Sequence, residues 1–255
     1  MIEKIIGIVG GAGPFAGLDL CQKILEETIA EKDQDYLTVL NWSQPNRILD
    51  RTEFLLGHMD ENPGVAIAEQ VRRLGEAGAA VVAIPCNTAH SPPIYDVIEA
   101  ELKRQQVQVK FLHLVEETAV FLQKHYPHIK HVGILSTTGT YRAQIYPNCL
   151  QPMGFEALVP NIELQETHIH PAIYDLTYGI KATGTATPRA RTDLLTGAEA
   201  LRQQGAEAVI LGCTEIPLAI PETTIDDMVV IDPTRILARA LIRESNPNRL
   251  QPVVS

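Results

Sequence analysis

Short apolar runs alternate along the chain with segments in which apolar residues recur every three or four positions. The runs are typical of buried strands, and the spaced residues are typical of amphipathic helices. Strands that alternate with helices indicate parallel sheets with crossover helices, so the predicted fold class is α/β. The predicted strands cover residues 4–9, 36–41, 81–84, 110–114, 132–135, 155–159, 208–211 and 228–231.

Residues that start or stop helices punctuate the segments between these strands. Asn62 and Pro63 predict a helix start, as cap and first residue, and Gly78 ends that helix. The polar residues 246–255 are expected to be loosely held. Further helices are predicted over residues 94–104, 193–204 and 233–243. Another is predicted around the apolar residues Val115, Ala119 and Leu122. One more should follow the glycine turn at 10–14, with apolar positions at Leu18, Cys21, Ile24 and Leu25.

Two sequence patterns occur once in each half of the chain, in the same order. In the first half Cys86 lies 79 residues after the glycine that begins the first pattern, and in the second half Cys213 lies 80 residues after its counterpart. We therefore predict two similar α/β halves, each with a cysteine at the end of a buried strand. The matching segments are GIVGGAG (7–13) with GILSTTG (133–139), and VVAIPCNT (81–88) with AVILGCT (208–214).

Cys86 and Cys213 each stand where a predicted strand meets a turn, the edge at which parallel α/β sheets bind ligands. Related halves that pack about a pseudo-twofold axis would place the two thiols on opposite sides of a cleft. One thiolate and one thiol so arranged are what a two-base proton transfer at carbon requires. A redox disulfide and simple packing are the alternatives. Cys21 and Cys149 have no repeated counterpart and are interpreted as packing residues.

Polar residues next to these strand ends are candidates for ligand binding. Asn87, Thr88 and Thr214 would hold a carboxylate with side chains and backbone N–H groups, or else cap the helices that follow. The glycine turn matches neither nucleotide-binding loop, but Gly11 would let the backbone approach a small ligand. The second half has hydroxyls at the corresponding positions, Ser136, Thr137 and Thr138.

Composition limits the range of partners. The chain has 21 Lys and Arg against 31 Asp and Glu, and its formal net charge of −10 disfavours nucleic-acid binding. The longest apolar stretch, residues 79–86, is far shorter than the roughly 20 residues of a membrane-spanning helix. Without a signal-peptide pattern at residues 1–4, a cytoplasmic location is expected. The four cysteines lack zinc-site spacing, so no metal site is predicted.

Four motifs, in order along nearly the whole chain, carry a family resemblance. They are Asn46-x-x-x-Asp50-Arg51-Thr52, Pro85-Cys86-Asn87-Thr88-Ala89-His90, Ile173-Tyr174 with Gly179-Ile180-Lys181-x-x-Gly184, and Leu211-Gly212-Cys213-Thr214-Glu215-Ile216-Pro217-Leu218. Together they resemble the aspartate racemase branch of the cofactor-independent aspartate/glutamate racemase superfamily. The glutamate branch normally has histidine where this chain has Glu215, which favours the aspartate branch.

The resemblance implies two flavodoxin-like domains with the active site in the cleft between them. It assigns residues 1–107 plus 225–255 to the first domain and residues 108–224 to the second, because terminal elements are exchanged in the family. The last strand and helix, from about Met228, would thus return to the first domain. It also implies a homodimer and a reaction that needs neither pyridoxal phosphate nor a metal.

The same resemblance assigns roles to individual residues. Cys86 and Cys213 would be the catalytic acid/bases of a reaction on a small dicarboxylic amino acid. Arg51 would grip a substrate carboxylate, as its planar guanidinium suits, although a solvated loop charge is the alternative. Lys181 would lie near the other end of the substrate. Three residues would bind the α-carboxylate: Asn87, Thr88 and Thr214.

His90 and Glu215 are candidate auxiliary residues, because each lies within four residues of a cysteine. A protonated histidine lowers a thiol pKa and a carboxylate raises it, although His90 could equally cap or pack on the next helix. The predicted function is interconversion of L- and D-aspartate. Glutamate, a broad amino-acid range, hydantoin and maleate remain alternative substrates, and a non-catalytic amino-acid-binding protein remains an alternative class.

Overall fold

A computed structural model describes residues 3–253 of the chain. Over that range the chain divides into two compact units. One runs to Glu117 and resumes at Thr234, and the other spans Thr118–Pro233. Each unit has its own β-sheet and its own buried apolar cluster. The predicted α/β class with two mainly parallel sheets is confirmed.

The first unit contains a parallel sheet that is central to its core. Over the described residues its strands are β1 (Ile6–Val9), β2 (Val39–Trp42), β3 (Val81–Ala83) and β4 (Lys110–Leu112). They run in the order β2-β1-β3-β4, with Ile6 paired to Val39 on one side and to Val81 on the other. Parallel strands covered on both faces are continuously apolar, which explains the short apolar runs.

Helices connect these strands. They are α1 (Pro14–Glu26), α2 (Arg51–Leu55), α3 (Pro63–Glu76), α4 (Pro92–Arg104) and α5 (Leu114–His125), the last crossing from the first unit into the second. The start of α3 is as predicted, because the Asn62 side chain accepts the N–H of Gly64 at 2.8 Å and Pro63 is the first helical residue. Short 3₁₀ turns cover Gly10–Ala12, Asp33–Asp35, Pro45–Arg47 and Asn87–His90.

The buried face of α1 differs from the apolar positions that predicted the helix. Leu18 is 62% exposed and Leu25 is 48% exposed, whereas Leu20 and Ile24 are buried. Gly17 explains this orientation, because a Cβ atom there would lie 2.7 Å from the Cα atom of Gly10. The helix therefore turns its small residues toward the glycine turn and leaves two leucines outside.

The second unit repeats the topology of the first. Its strands among the described residues are β5 (His131–Ser136), β6 (Glu156–Leu158), β7 (Ala208–Gly212), β8 (Thr224–Ile225) and β9 (Met228–Ile231). The order is β6-β5-β7-β9-β8, and only the short β8, which was not predicted, is antiparallel to its neighbour. The first four strands of this order match β2-β1-β3-β4, so the internal repeat is also a structural one.

Most helices of the second unit are short. They are α6 (Thr138–Arg142), α7 (Ile145–Leu150), α8 (Ile162–Leu164), α9 (His170–Tyr174), α10 (Ile180–Thr183) and α11 (Pro188–Gln203). A π-helical turn, Gln165–Ile169, joins α8 to α9, and 3₁₀ turns cover Gln151–Met153 and Ile216–Leu218. The final helix, α12 (Pro233–Ser245), is followed by a 3₁₀ turn at Pro247–Arg249.

The exchange of terminal elements is smaller than predicted. Strand β9 stays in the second unit, because it pairs with β7 (Ala208 opposite Val229) on one side and with β8 on the other. Only α12 and the segment after it return to the first unit. Residues 225–233, expected in the first domain, therefore lie in the second unit, and residues 108–117, expected in the second domain, lie in the first.

The C-terminal segment is bound rather than loose over its described part. The N–H of Ile29 donates to the carbonyl of Arg249 at 2.6 Å, and the N–H of Gln251 donates to the carbonyl of Glu27 at 2.9 Å. An antiparallel bridge between Thr28 and Leu250 lies between these bonds. Backbone pairing with the end of α1 thus overrides the polar composition that predicted a loose tail. Over residues 3–253, no helix combines the length and the apolar character that a bilayer crossing requires.

Candidate active site

In the first unit, Cys86 follows β3 and directly precedes the 3₁₀ turn Asn87–His90. The residue is buried, and its apolar cluster includes Val9 and Ala12. Since β1 and β3 are neighbours, with Ile8 opposite Ala83, the loops that follow them lie side by side. The glycine turn and the cysteine loop therefore share one edge of the sheet, the edge where ligands bind in such folds.

Arg51 attaches α2 to the glycine turn. Its guanidinium is buried and donates from Nη1 to the Leu49 carbonyl at 3.0 Å and from Nη2 to the Ala12 carbonyl. Asp50 caps α2 by accepting the N–H groups of Thr52 at 2.7 Å and Glu53 at 3.0 Å. The alternative of a solvated loop charge is therefore wrong, because Arg51 is buried and hydrogen-bonded to the glycine turn.

The remaining candidates of the first unit lie in the same two loops. Gly11 is buried within the 3₁₀ turn Gly10–Ala12, and a Cβ atom there would lie 2.7 Å from the backbone nitrogen of Gln44. Asn87 and Thr88 are also buried, inside the turn that follows Cys86. The first unit thus brings its predicted catalytic cysteine and its four predicted binding residues together on two adjacent loops and the start of α2.

His90 packs in an aromatic cluster beneath the cysteine loop. Its Nδ1 lies 2.8 Å from the carbonyl oxygen of Cys86. The ring stacks on Tyr95 at 5.6 Å between centroids and meets His113 edge-on at 4.6 Å. Burial, with a smaller contribution from His113, lowers the pKa of His90 to about 3. The imidazole is therefore neutral at physiological pH, so a protonated His90 that lowers a thiol pKa does not fit this site, whereas a packing role does.

In the second unit, Cys213 directly follows β7 and is buried. The last residue of β7, Gly212, pairs with Ser136, the last residue of β5. The hydroxyl turn at residues 136–138 therefore lies beside Cys213, as the glycine turn lies beside Cys86. The two units present the same arrangement, with backbone in one and hydroxyl side chains in the other.

The hydroxyl turn has partners within its own unit. Thr137 caps α6, because its Oγ1 accepts the N–H of Thr140 at 3.3 Å. Gln165 donates from Nε2 to the Ser136 carbonyl at 3.0 Å and to Thr138 Oγ1 at 3.4 Å. Gln165 is fully buried in the π-helical turn, and sequence reasoning missed it. No local pattern marks this contact, because 27 residues separate Gln165 from Thr138.

A carboxylate links Cys213 to Lys181. The Cys213 thiol donates to Glu215 Oε2 at 3.0 Å, and Lys181 Nζ donates to Glu215 Oε1 at 2.5 Å. Thr214 donates its hydroxyl to Oε2 at 3.3 Å. Burial, followed by the charge of Glu215, raises the pKa of the Cys213 thiol well above its ordinary value, and the charge of Lys181 opposes this shift.

Lys181 therefore serves first as the ion-pair partner of Glu215. Its ammonium also lies 5.5 Å from the centroid of the Tyr174 ring, in a cation–π arrangement. If Lys181 also binds the far end of the substrate, it must do so while it is paired with Glu215. Over the described part of the chain, no three His, Cys, Asp or Glu side chains cluster in a way that could hold a metal ion.

The sequence matches the Asp/Glu/hydantoin racemase family over residues 9–241. Among curated relatives, the broad specificity amino-acid racemase RacX of Bacillus subtilis is 27% identical over 93% of this chain and 96% of that protein. A glutamate racemase of Pseudomonas aeruginosa is 29% identical over 69% of this chain and 63% of that protein.

Solved structures with similar folds include two from aspartate racemases or their homologues. The Picrophilus torridus aspartate racemase superposes with a TM-score of 0.80 at 29% identity, covering 97% of this chain and 96% of that one. An aspartate racemase homologue from Pyrococcus horikoshii gives 0.72 at 27% identity, covering 95% and 99%. The chain belongs to the Asp/Glu/hydantoin racemase family, and its reaction class is that of a racemase, an isomerase.

Proposed function

We propose that the protein interconverts L- and D-aspartate without pyridoxal phosphate or a metal, using Cys86 and Cys213 as the two acid/bases. One observation carries the proposal. In a family of racemases, this chain has a buried cysteine just beyond the same strand of each repeated sheet. In the proposed reaction the two units enclose a cleft, and the thiols lie on opposite sides of the substrate Cα.

The difficult step is removal of a weakly acidic Cα proton. A thiolate takes this proton from one face, and a thiol supplies another proton to the opposite face. Donors that are already in place stabilise the negative charge that spreads from Cα to the carboxylate. We assign the α-carboxylate to Asn87, Thr88 and Thr214. Backbone at Gly11 and the hydroxyls of Ser136, Thr137 and Thr138 complete the proposed binding site.

The aspartate assignment depends on the second carboxylate of the substrate. Arg51 supports it, because the carbonyls of Leu49 and Ala12 hold its buried guanidinium beside the glycine turn, where its positive charge would attract a carboxylate. Lys181 is the second proposed cation and would act while paired to Glu215. Similarity to aspartate racemase structures supports the same assignment.

The main alternative is a broader substrate range. It is favoured by the full-length similarity to a racemase that is named for broad specificity. Glutamate is a further alternative, given the partial similarity to glutamate racemases. A homodimer and a cytoplasmic location stay predictions.

A chiral assay tests the proposal. Purified protein is incubated with L-aspartate, L-glutamate and a panel of other L-amino acids, with reductant and without added pyridoxal phosphate. We expect D-aspartate to form fastest. The variants Cys86→Ser and Cys213→Ser should each lower racemisation by about 100-fold or more, because each removes one acid/base. The matched controls Cys21→Ser and Cys149→Ser should retain activity.

Three other outcomes would contradict the proposal or favour one of its alternatives. Near-wild-type turnover in either active-site variant rejects the two-base scheme. Faster turnover of several unrelated amino acids favours broad specificity. Ligand-dependent thermal stabilisation without any racemisation or exchange of the Cα proton would instead indicate a binding protein.

A further inference from the structure

Glu215 is a buried carboxylate, yet it occupies a binding loop of the proposed site. Its two oxygens accept hydrogen bonds from donors that include the Cys213 thiol, the Thr214 hydroxyl and the Lys181 ammonium. A buried acid that only accepts hydrogen bonds, one of them from a cation, is stabilised in its charged form. Glu215 thus places a fixed negative charge 3.0 Å from the Cys213 sulfur.

This geometry distinguishes between the two protonation states of Cys213. The thiol donates its proton to Oε2 and so gains a hydrogen bond to a charged acceptor. A thiolate in the same place would lose that bond and would face a like charge at contact distance. The arrangement therefore favours sulfur that carries its proton, and it fixes the direction of the S–H bond.

We propose that Glu215 is a positioning residue that keeps Cys213 protonated, so that Cys213 is the proton donor of the resting enzyme and Cys86 is its base. This inference rests on the proposed function, because it assigns the two roles of that reaction to particular cysteines. Glu215 itself touches neither Cα nor its proton in the scheme.

The step balances without any co-reactant. The Cys86 thiolate forms an S–H bond with the Cα proton, and the C–H electron pair stays on Cα. The Cys213 S–H bond then breaks, its proton joins the opposite face of Cα, and Cys213 becomes the thiolate. After product release, solvent carries a proton from Cys86 back to Cys213. The opposite enantiomer reacts through the alternative state, in which Cys213 is the thiolate.

Lys181 makes this arrangement compatible with turnover. Its positive charge balances Glu215, so the group formed by Cys213, Glu215 and Lys181 is neutral at rest and carries one negative charge after proton donation. Without the lysine, the same step would produce two uncompensated negative charges. Lys181 therefore limits how strongly Glu215 opposes the thiolate.

The groups that act on this thiol come from three elements of the second unit. Glu215 lies on the loop after β7, Lys181 on α10, and Tyr146 on α7, where its buried phenol interacts electrostatically with Cys213. Burial raises the pKa of Tyr146 well above its ordinary value, so this phenol stays neutral. The charges that decide the state of Cys213 are therefore those of Glu215 and Lys181.

The test measures thiolate formation directly. Native protein and the variant Glu215→Gln are treated with iodoacetamide over a range of pH, and the alkylation rate of the Cys213 peptide is followed by mass spectrometry. Gln keeps the shape but removes the charge, so the midpoint for Cys213 should fall by about one to three pH units. The alkaline limb of the pH profile of kcat/KM should move in the same direction. Glu222→Gln, an exposed partner of Arg191, is the matched control and should shift neither.

A second variant tests for a shift of the Cys213 alkylation midpoint in the opposite direction. Lys181→Met removes the compensating cation and leaves the carboxylate, so the alkylation midpoint of Cys213 should rise. This variant also serves if Glu215→Gln does not fold. An unchanged or raised midpoint in Glu215→Gln, or an unchanged or lowered one in Lys181→Met, overturns the proposal. Alkylation does not require turnover, so the expected shifts without any racemisation would reject the proposed function and the donor role of Cys213, but not the effect of Glu215 on the Cys213 proton.

Discussion

Burial removes the His90 imidazole from water and holds it between Tyr95, Phe111 and His113. The result is a neutral ring that contacts the Cys86 carbonyl, with its pKa lowered to about 3. In the second unit, burial acts on Cys213 in the same sense, since it favours the uncharged thiol. At the residue scale, desolvation is the largest cause of the pKa shift of both His90 and Cys213, and the charge of Glu215 adds to it at Cys213.

The neutral His90 predicts a dependence of stability on pH. Unfolded histidine has a pKa of about 6.5, so between pH 6.5 and about 3 the unfolded chain binds a proton that the folded chain does not. Stability of the first unit should therefore fall with decreasing pH, by about 1.4 kcal/mol per unit from this group. Urea unfolding followed by the fluorescence of Trp42, the single tryptophan, measures it.

The variant His90→Gln should lose this part of the slope between pH 6 and 4. His58→Gln is the matched control, because His58 is exposed and pairs only with the exposed Glu53 among the contacts described. An equal slope in native protein and His90→Gln would show that His90 is protonated or accessible in the folded state.

At the scale of elements, α12 returns to the first unit with Leu237, Leu241 and Ile242 fully buried, and ion pairs add to this apolar packing. The carboxylate of Glu27, at the end of α1, accepts a hydrogen bond from Arg235 Nη1 at 2.8 Å and another from Arg239 Nη1. Arg243 of the same helix pairs with Glu117 of α5 at 2.8 Å. Strand β9, by contrast, is retained by backbone pairing in the second sheet. Backbone pairing thus keeps β9 in the second unit, whereas apolar burial with added ion pairs places α12 in the first.

The Glu27 contacts predict where α12 is most sensitive to substitution. Glu27→Gln should destabilise the first unit by about 1–3 kcal/mol, because a nearly buried acid loses its charge-assisted bonds to two arginines. Glu26→Gln should cost no more than about 0.5 kcal/mol, since Glu26 is exposed and its pair with Arg235 is solvated. Urea unfolding followed by Trp42 fluorescence compares the two, and equal costs would contradict the assignment.

At the scale of the whole molecule, the two proposed acid/bases belong to different units, Cys86 to the first and Cys213 to the second. In the proposed reaction, one sulfur would take the proton that leaves the substrate and the other would supply the proton that enters the product. Neither unit alone contains the chemistry of the proposed reaction. Each copy of the sequence repeat thus supplies one of the two proposed acid/bases.

Deuterium labelling tests that division. In D2O at early times, D-aspartate formed from L-aspartate should carry deuterium at Cα almost completely, because the donated proton comes from a solvent-exchanged thiol. The remaining L-aspartate should carry little. Chiral separation with mass spectrometry measures both pools. Product that keeps the original proton would indicate a single base that serves both faces.

The sequence alone determined the features that depend on near neighbours along the chain. Apolar runs and helical spacing predicted the α/β class and most strands, Asn62 and Pro63 predicted the start of α3, and the repeat predicted two matching sheets. The positions of Cys86 and Cys213 at strand ends followed from the same patterns. These features are local because strand and helix periodicity is set by residues only a few positions apart.

Tertiary structure alone decided the features that depend on packing between distant segments. The Lys181 ammonium meets a carboxylate 34 residues away, and Gln165 reaches the hydroxyl turn. His90 is neutral because it is buried among rings from α4, β4 and the residue before α5. Whether β9 joins one sheet or the other depends on which strand edge is available to it. Burial and long-range pairing are properties of the assembled unit, so no short stretch of sequence contains them.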